Sequence, residues 1–259
     1  MSNPILHFYD VDSRVVAFST TRHGGVSRDR YGELNLNEFC GDDAQNVLTN
    51  RRLVATELGI AATRIIVPHQ VHGKAVRTIE EGFFDMSSDD RTALLDGIDG
   101  VQTQETKVCI GISTADCIPV LLYDTVHHAV SAVHAGWRGT VQRIAQQAVM
   151  EMQKSFGTRP SDIKAVIGPG ISVANFEVGQ EVYDAFELAG FDMETIAIMK
   201  EKWHIDLPLC NKLQLLQLGV PEANVQVASI CTFDHVDEYF SARRLGKESG
   251  RIYTAIMLK

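Results

Sequence analysis

Two apolar, strand-forming runs, residues 118–123 and 129–133, flank the short polar break Asp124-Thr-Val-His127, and this pairing constrains the chain more than any other feature. Runs of that length and composition, separated by so few polar residues, read as an antiparallel hairpin. A two-residue loop centred between Thr125 and Val126 would set Cys117 opposite His134 and Pro119 opposite Ala132. Both pairs would be of the non-hydrogen-bonded kind, in which Cβ atoms approach to about 4.5–5.5 Å. The missing N–H of Pro119 would then not be required by the ladder. A thiol and an imidazole so placed can share one proton or one metal ion. The turn His134-Ala-Gly-Trp-Arg-Gly139 follows at once, so His134 lies just before a helix N-terminus, where N–H groups favour anions.

The rest of the chain reads as alternating strands and helices without linker, repeat or low-complexity tract, which predicts one layered α/β domain, residues 1–259, with a mixed sheet. Strands are expected at 14–19, 107–113, 163–167, 225–230 and 252–257, with a broken extended stretch over 65–79. Asp43 should cap a helix that Gly59 ends, and further helices are expected over 180–188 and 208–218. Val141, Ile144, Ala145, Ala148, Met152 and Phe156 share one face, so the spacing predicts a helix over 140–156, capped by Thr140 and stopped by Gly157. Residues 80–99, with acidic groups at Asp89, Asp90, Asp96 and Asp99, read as a loop whose charges form a solvated face.

The formal net charge of −9 argues against nucleic acid or an anionic membrane as the main ligand. No apolar run approaches a membrane span, and the N-terminus carries no signal-peptide pattern. Five scattered cysteines without a CxxC are the usage of a reducing compartment, so a cytoplasmic location is expected. No protein partner is predicted.

Two protein ligands make a poor zinc site, since catalytic zinc takes three and keeps one position open. His69 and His72, in Pro68-His-Gln-Val-His-Gly73, are both candidates for the third, and spacing does not choose between them. Arg138 adds a guanidinium whose fork suits phosphate or carboxylate. Arg22, in a Gly-flanked turn, and Arg243, after Ser241, could join it in one clamp. Three guanidiniums in one pocket repel each other unless an anion relieves them. Asp116 and Asp99 are the candidate acid/base groups.

Gln70-Val-His-Gly73, Thr114-Ala-Asp-Cys117, His134-Ala-Gly-Trp-Arg-Gly139, and Cys231-Thr with Phe240-Ser-Ala-Arg-Arg244 together resemble the YfiH-like family. It is also called the laccase-domain, polyphenol oxidoreductase or peptidoglycan editing factor family. Thr21-Arg-His-Gly-Gly-Val-Ser27, Leu34-Asn-Leu36 and Asn50-Arg51 are similar to its N-terminal pattern, so the resemblance covers nearly the whole chain. It implies an α/β sandwich related to cytotoxic-necrotising-factor-type deamidases, and a zinc held by His72, Cys117 and His134, with His69 in a supporting role. The substrate-binding candidates are Arg22, Ser27, Asp116, Arg138, Ser241, Arg243 and Arg244.

The activity implied is phosphorolysis of adenosine, inosine and S-methyl-5′-thioadenosine to free base and sugar 1-phosphate, alongside adenosine deamination. Purine nucleoside and phosphate are then the partners. The deaminase signature H-x-E…P-C-x-x-C is absent. The alternative is a Cys117–His134 amidase editing cell-wall precursor dipeptides. Copper polyphenol oxidation ranks last, since nine histidines without an H-x-H pair do not readily build a multicopper cluster. Two positions depart from the family pattern. Gly170 replaces a frequent cysteine and offers no ligand, and Ala242 replaces a frequent aromatic in the Phe240–Arg244 motif.

Overall fold

The computed structural model describes residues 3–259. In chain order the strands are β1 (Leu6–Tyr9), β2 (Val15–Thr20), β3 (Ile65–Ile66), β4 (Val76–Thr78), β5 (Gly100–Thr103), β6 (Cys109–Thr114), β7 (Ile118–Asp124), β8 (Ala129–Ala135), β9 (Ile163–Ile167), β10 (Glu177–Val178), β11 (Ala197–Met199), β12 (Trp203–Ile205), β13 (Val225–Val227) and β14 (Ile252–Leu258). The α-helices are α1 (Ala44–Leu58), α2 (Ser88–Leu95), α3 (Trp137–Val141), α4 (Ile144–Phe156), α5 (Gln180–Leu188), α6 (Met193–Ile196), α7 (Leu207–Gln217) and α8 (Ala242–Leu245). Two large sheets, ordered β1-β2-β14-β6-β3 and β13-β9-β7-β8-β5-β4, are both mixed, with parallel pairs at β3–β6, β13–β9 and β4–β5. Among the described residues, no helix is long and apolar enough to cross a membrane.

Side-chain alternation turns these sheets into the middle of four layers. Ile110 and Ile112 of β6 and Ile256 of β14 meet Leu121 and Tyr123 of β7 and Val130 of β8 between the two sheets. The other face of β7 and β8, with Val120, Leu122 and Val133, packs on Ile144, Ala148, Val149 and Met152 of α4 and Leu215 of α7. The outer face of the first sheet, through Phe18, Tyr253 and Ala255, packs on Val54 and Ala55 of α1. Each fully buried Ile, Leu, Val or Met contributes about 1.5–3 kcal/mol relative to exposure. Burial on both faces is why β7 and β8 read as continuous apolar runs although they are antiparallel.

The hairpin closes later than its spacing predicts. Asp124 pairs with Ala129, so Pro119 rather than Cys117 faces His134, and Thr125–His128 form a four-residue loop. The cause is the buried Asp124 carboxylate, which accepts the Val126 N–H at 2.8 Å, the His127 N–H at 3.0 Å and the His127 ring nitrogen at 2.9 Å. A shift of two residues leaves every side chain on its expected face, because the strand repeat is two. The Pro119 carbonyl accepts from the Gly168 N–H on the β9 side, so the proline's missing donor is not asked to bond His134. Replacing Asp124 with alanine should lower the unfolding free energy by about 1–3 kcal/mol, read from urea denaturation, by stranding these donors. An unchanged midpoint would mean that the turn closes without the carboxylate.

Two further expectations change. The helix predicted over 140–156 is broken at Arg143, which takes a left-handed φ of 64°, with its guanidinium on the Ala189 carbonyl and over the Phe191 ring. Thr140 therefore lies inside α3, and its hydroxyl donates to the Ala135 carbonyl instead of capping. Residues 80–99 are not a simple loop. They include α2, capped by Ser87, and only part of their charge is solvated. Asp89 and Asp90 are exposed, whereas Asp99 is fully buried.

Candidate metal centre

Three segments distant in sequence converge at one end of the β7–β8 hairpin. Cys117 lies in the bend just before β7, His134 is the penultimate residue of β8, and His72 lies in the turn before β4. One ligand atom from each falls within 4.8 Å of the others, and they form the cluster of metal-binding geometry among the described residues. The Cys117 Sγ lies 3.9 Å from the His72 Nε2, and the two imidazoles meet edge-on with centroids 4.7 Å apart. Gly136 passes so close that a Cβ there would stand 3.0 Å from the Cys117 Sγ and 3.0 Å from His72 Cδ2. A side chain at 136 would therefore intrude between the donors.

Asp99 organises this geometry. Its carboxylate accepts the N–H groups of Val71, His72 and Gly73 at 3.2, 2.9 and 2.7 Å. It also accepts from His134 Nδ1 at 2.8 Å, while its carbonyl takes the His134 N–H. The first set holds His72 in a left-handed conformation, φ 63°, that a non-glycine residue adopts only at a cost. The second fixes the protonated nitrogen of His134 and turns its Nε2 toward Cys117, the carboxylate–histidine arrangement that supports metal ligands. Burial pushes the Asp99 carboxyl up, but these hydrogen bonds outweigh it and hold the group ionised below its ordinary range.

Burial likewise pushes the Cys117 thiol up. The facing His134 and hydrogen bonds to both imidazoles overcome it and bring the thiol down to about 6. Burial pushes His134 down, and its attraction to Cys117 and bond to Asp99 lift it to about 9. Both shifts describe one polarised thiolate–imidazolium pair. A deprotonated thiol and two imidazoles are a borderline-soft donor set that suits zinc or copper.

The cluster opens into a cavity of about 440 Å³ lined also by Phe39, His69, Gln70, Ser113, Thr114, Arg138 and Lys247. His69 is not in the cluster. Its Nδ1–H donates to the Asp96 carboxylate at 2.6 Å, and its ring stacks on Phe39 at 4.4 Å. Arg138, at the start of α3, lies over the Trp137 ring at 4.2 Å and reaches the same cavity.

The three-arginine clamp is not assembled here. Arg22 donates to the carbonyls of Gly32 and Val236 and lies over Phe240, and Arg243 donates to the Glu177 carbonyl. Neither lines the cavity, because backbone carbonyls from remote loops already take their forks. Arg244 lies over the Phe233 ring, and Ser241 caps α8. Ser27 donates to Asp42 at 2.6 Å, far from the donors in sequence and outside the cavity lining. Asp116, adjacent to Cys117, is occupied by the Thr232 hydroxyl and the Arg243 N–H, both at 2.7 Å, so it shapes the bend that presents the thiol. Gly170 packs against this bend, where a Cβ would meet the Cys117 carbonyl at 3.2 Å.

Reading by spacing underrated Asp99, Gln70, Phe39 and Lys247. Only Gln70 carried a local signal, as a member of the Gln-Val-His-Gly motif.

Comparisons with known proteins show the family of the chain. Residues 16–259 match the family described as multi-copper polyphenol oxidoreductase laccase. The chain is 46% identical to a protein of Bacteroides thetaiotaomicron named purine nucleoside phosphorylase, over 95% of this chain and 92% of that one. It is 41% identical to a protein named adenosine deaminase RL5 from an unknown prokaryotic organism, over 95% and 94% of the two chains. Its fold matches the crystal structure of the hypothetical protein YfiH from Bacillus licheniformis with a TM-score of 0.88 at 32% identity, over 95% and 93% of the chains.

Proposed function

The chain belongs to the YfiH-like, laccase-domain family, and from that premise we propose that it is a zinc-dependent purine nucleoside phosphorylase. It would convert adenosine, inosine and S-methyl-5′-thioadenosine to free base and sugar 1-phosphate. The observation that carries this reading is a three-donor cluster at the wall of a cavity also lined by three cationic residues, Arg138, Lys247 and Arg251. Relatives named for purine nucleoside chemistry support it.

His72, Cys117 and His134 would hold the metal, with Asp99 orienting His134. When bound, a zinc with one open position supplies Lewis-acid polarisation of an oxygen. Arg138, fixed over Trp137, and the exposed Lys247 would neutralise phosphate and hold it against the sugar. A phosphate oxygen forms the new bond to the anomeric carbon as the bond to the base nitrogen breaks, and the base leaves with that electron pair and takes up a proton. Oxidation through a multicopper cluster would need more ligands than the three gathered among the described residues. The same pocket in a cytoplasmic protein would meet both substrates.

A second reading, adenosine deamination at the same cluster, is favoured by the 41% identical relative. Metal-analysed protein should be incubated with adenosine and with inosine, with and without phosphate, and the products separated by chromatography. Free base and ribose 1-phosphate appearing only with phosphate is the expected result. Inosine formed from adenosine without phosphate would favour deamination. Inertness toward both nucleosides, with cleavage of a cell-wall dipeptide, would replace the proposal with an amidase.

A further inference from the structure

We infer that His69 is the general acid that protonates the departing purine at N7, an inference that deepens the phosphorolysis reading above and rests on it. Breaking a glycosidic bond to a purine leaves negative charge on the base unless a proton reaches it. Histidine is the side chain suited to exchange a proton near neutral pH. Three histidines line the cavity that holds the metal-binding cluster, and two of them, His72 and His134, are its donors. His69 is the third. The two cysteines on the same wall are poorer candidates, since Cys117 is itself a donor and burial pushes the Cys40 thiol up.

The His69 ring is both reachable and held. Its side chain is 42% exposed, and its ring stacks on Phe39 with centroids 4.4 Å apart. The Asp96 carboxylate engages Nδ1 at 2.6 Å, while Nε2 has no hydrogen-bond partner among the described residues. The backbone is fixed as well. The His69 N–H donates to the Leu95 carbonyl at 3.0 Å, and the His69 carbonyl accepts the Ile98 N–H at 3.1 Å. A carboxylate on one ring nitrogen orients the imidazole and leaves the other nitrogen to serve a ligand. His69 lies three residues before His72, so their Cα atoms are at most about 11 Å apart. One nucleoside with an oxygen at the metal position can therefore bring its base to His69.

A phosphate oxygen bonds to C1′ as the C1′–N9 bond breaks and its electron pair passes into the purine ring. Protonated His69 gives its Nε2 proton to N7, so the purine leaves as a neutral base. The imidazole is left neutral with its Nδ1–H still on Asp96, and solvent returns the proton before the next turnover. The test compares wild type, His69→Gln and Asp96→Asn at saturating phosphate, with metal content measured in each. The substrates are inosine and two ribosides whose leaving groups need no proton, 7-methylinosine and 4-nitrophenyl β-D-ribofuranoside. His69→Gln should lower kcat for inosine by about 100-fold and leave kcat for at least one activated riboside within about 3-fold of wild type. Asp96→Asn keeps the histidine and should show the same split by a smaller factor, which decides the question should His69→Gln not fold. Metal content should match wild type in both variants.

Equal loss on inosine and the activated ribosides would overturn the inference, since a structural or metal-holding role affects every leaving group alike. Unchanged inosine turnover in His69→Gln would overturn it too, as would a wild type that cleaves inosine but neither activated riboside. A wild type that releases no base from inosine with phosphate present would remove the phosphorolysis reading, and the general-acid role with it. Wild-type phosphorolysis without the substrate-dependent loss in the variants would sink the His69 role alone.

Discussion

Cys117→Ala should lower turnover by about 10³-fold or more and leave the protein unable to hold stoichiometric metal. The thiol is one of only three donors in the cluster, and two ligands do not retain a catalytic metal well. The side chain is partly exposed in a bend whose shape is set by Asp116, so the melting temperature should change little. Chelation of the wild type separates the two roles open to the thiolate. Loss of activity that zinc restores fits a ligand. Activity that survives complete metal removal would fit a cysteine nucleophile activated by His134, and would end the metal reading. Metal content must be measured beside rate in each sample.

Asp99→Asn is expected to have the next largest effect, although the residue does not line the cavity and acts through His72 and His134. An amide keeps the shape but loses the charge that gathers three N–H groups and the His134 ring. It can also present its NH₂ to His134 Nδ1 and so favour the wrong tautomer. Metal affinity should fall about 10- to 100-fold, measured by competition with a chelator of known strength. Stability should fall as well, because hydrogen bonds to a charged group contribute about 1.5–3 kcal/mol each. Wild-type metal affinity with ordinary stability would show that His72 and His134 are placed without the carboxylate.

The two variants probe different layers of one site, and those layers were unequally legible. The donors were legible because they sit in compact motifs, the two histidines with a glycine one or two residues on, and the resemblance to a known family chose His72 over His69. Cys117 and His134 come together even though the expected pairing was two residues out, since a shift of two preserves the face of every side chain. α1 behind Asp43 and before Gly59, and α5 over Gln180–Leu188, follow from caps and apolar periodicity, which are local signals.

What the amino-acid order determined by itself is therefore the central hairpin strands, the strands near 14–19, 107–113, 163–167 and 252–257, the helices α1, α5 and α7, the apolar faces they bury, and the residues able to bind a metal. Only the tertiary structure decided which acidic group supports the site and where the arginines go. Asp99 meets the 71–73 turn, and Arg22 meets the Val236 carbonyl from the other end of the chain. Such bonds join a side chain to the backbone of a remote segment, and a backbone carbonyl or N–H is the same whatever residue carries it. Periodicity records how each element faces the core, but nothing local records which distant backbone group will arrive to satisfy a charge.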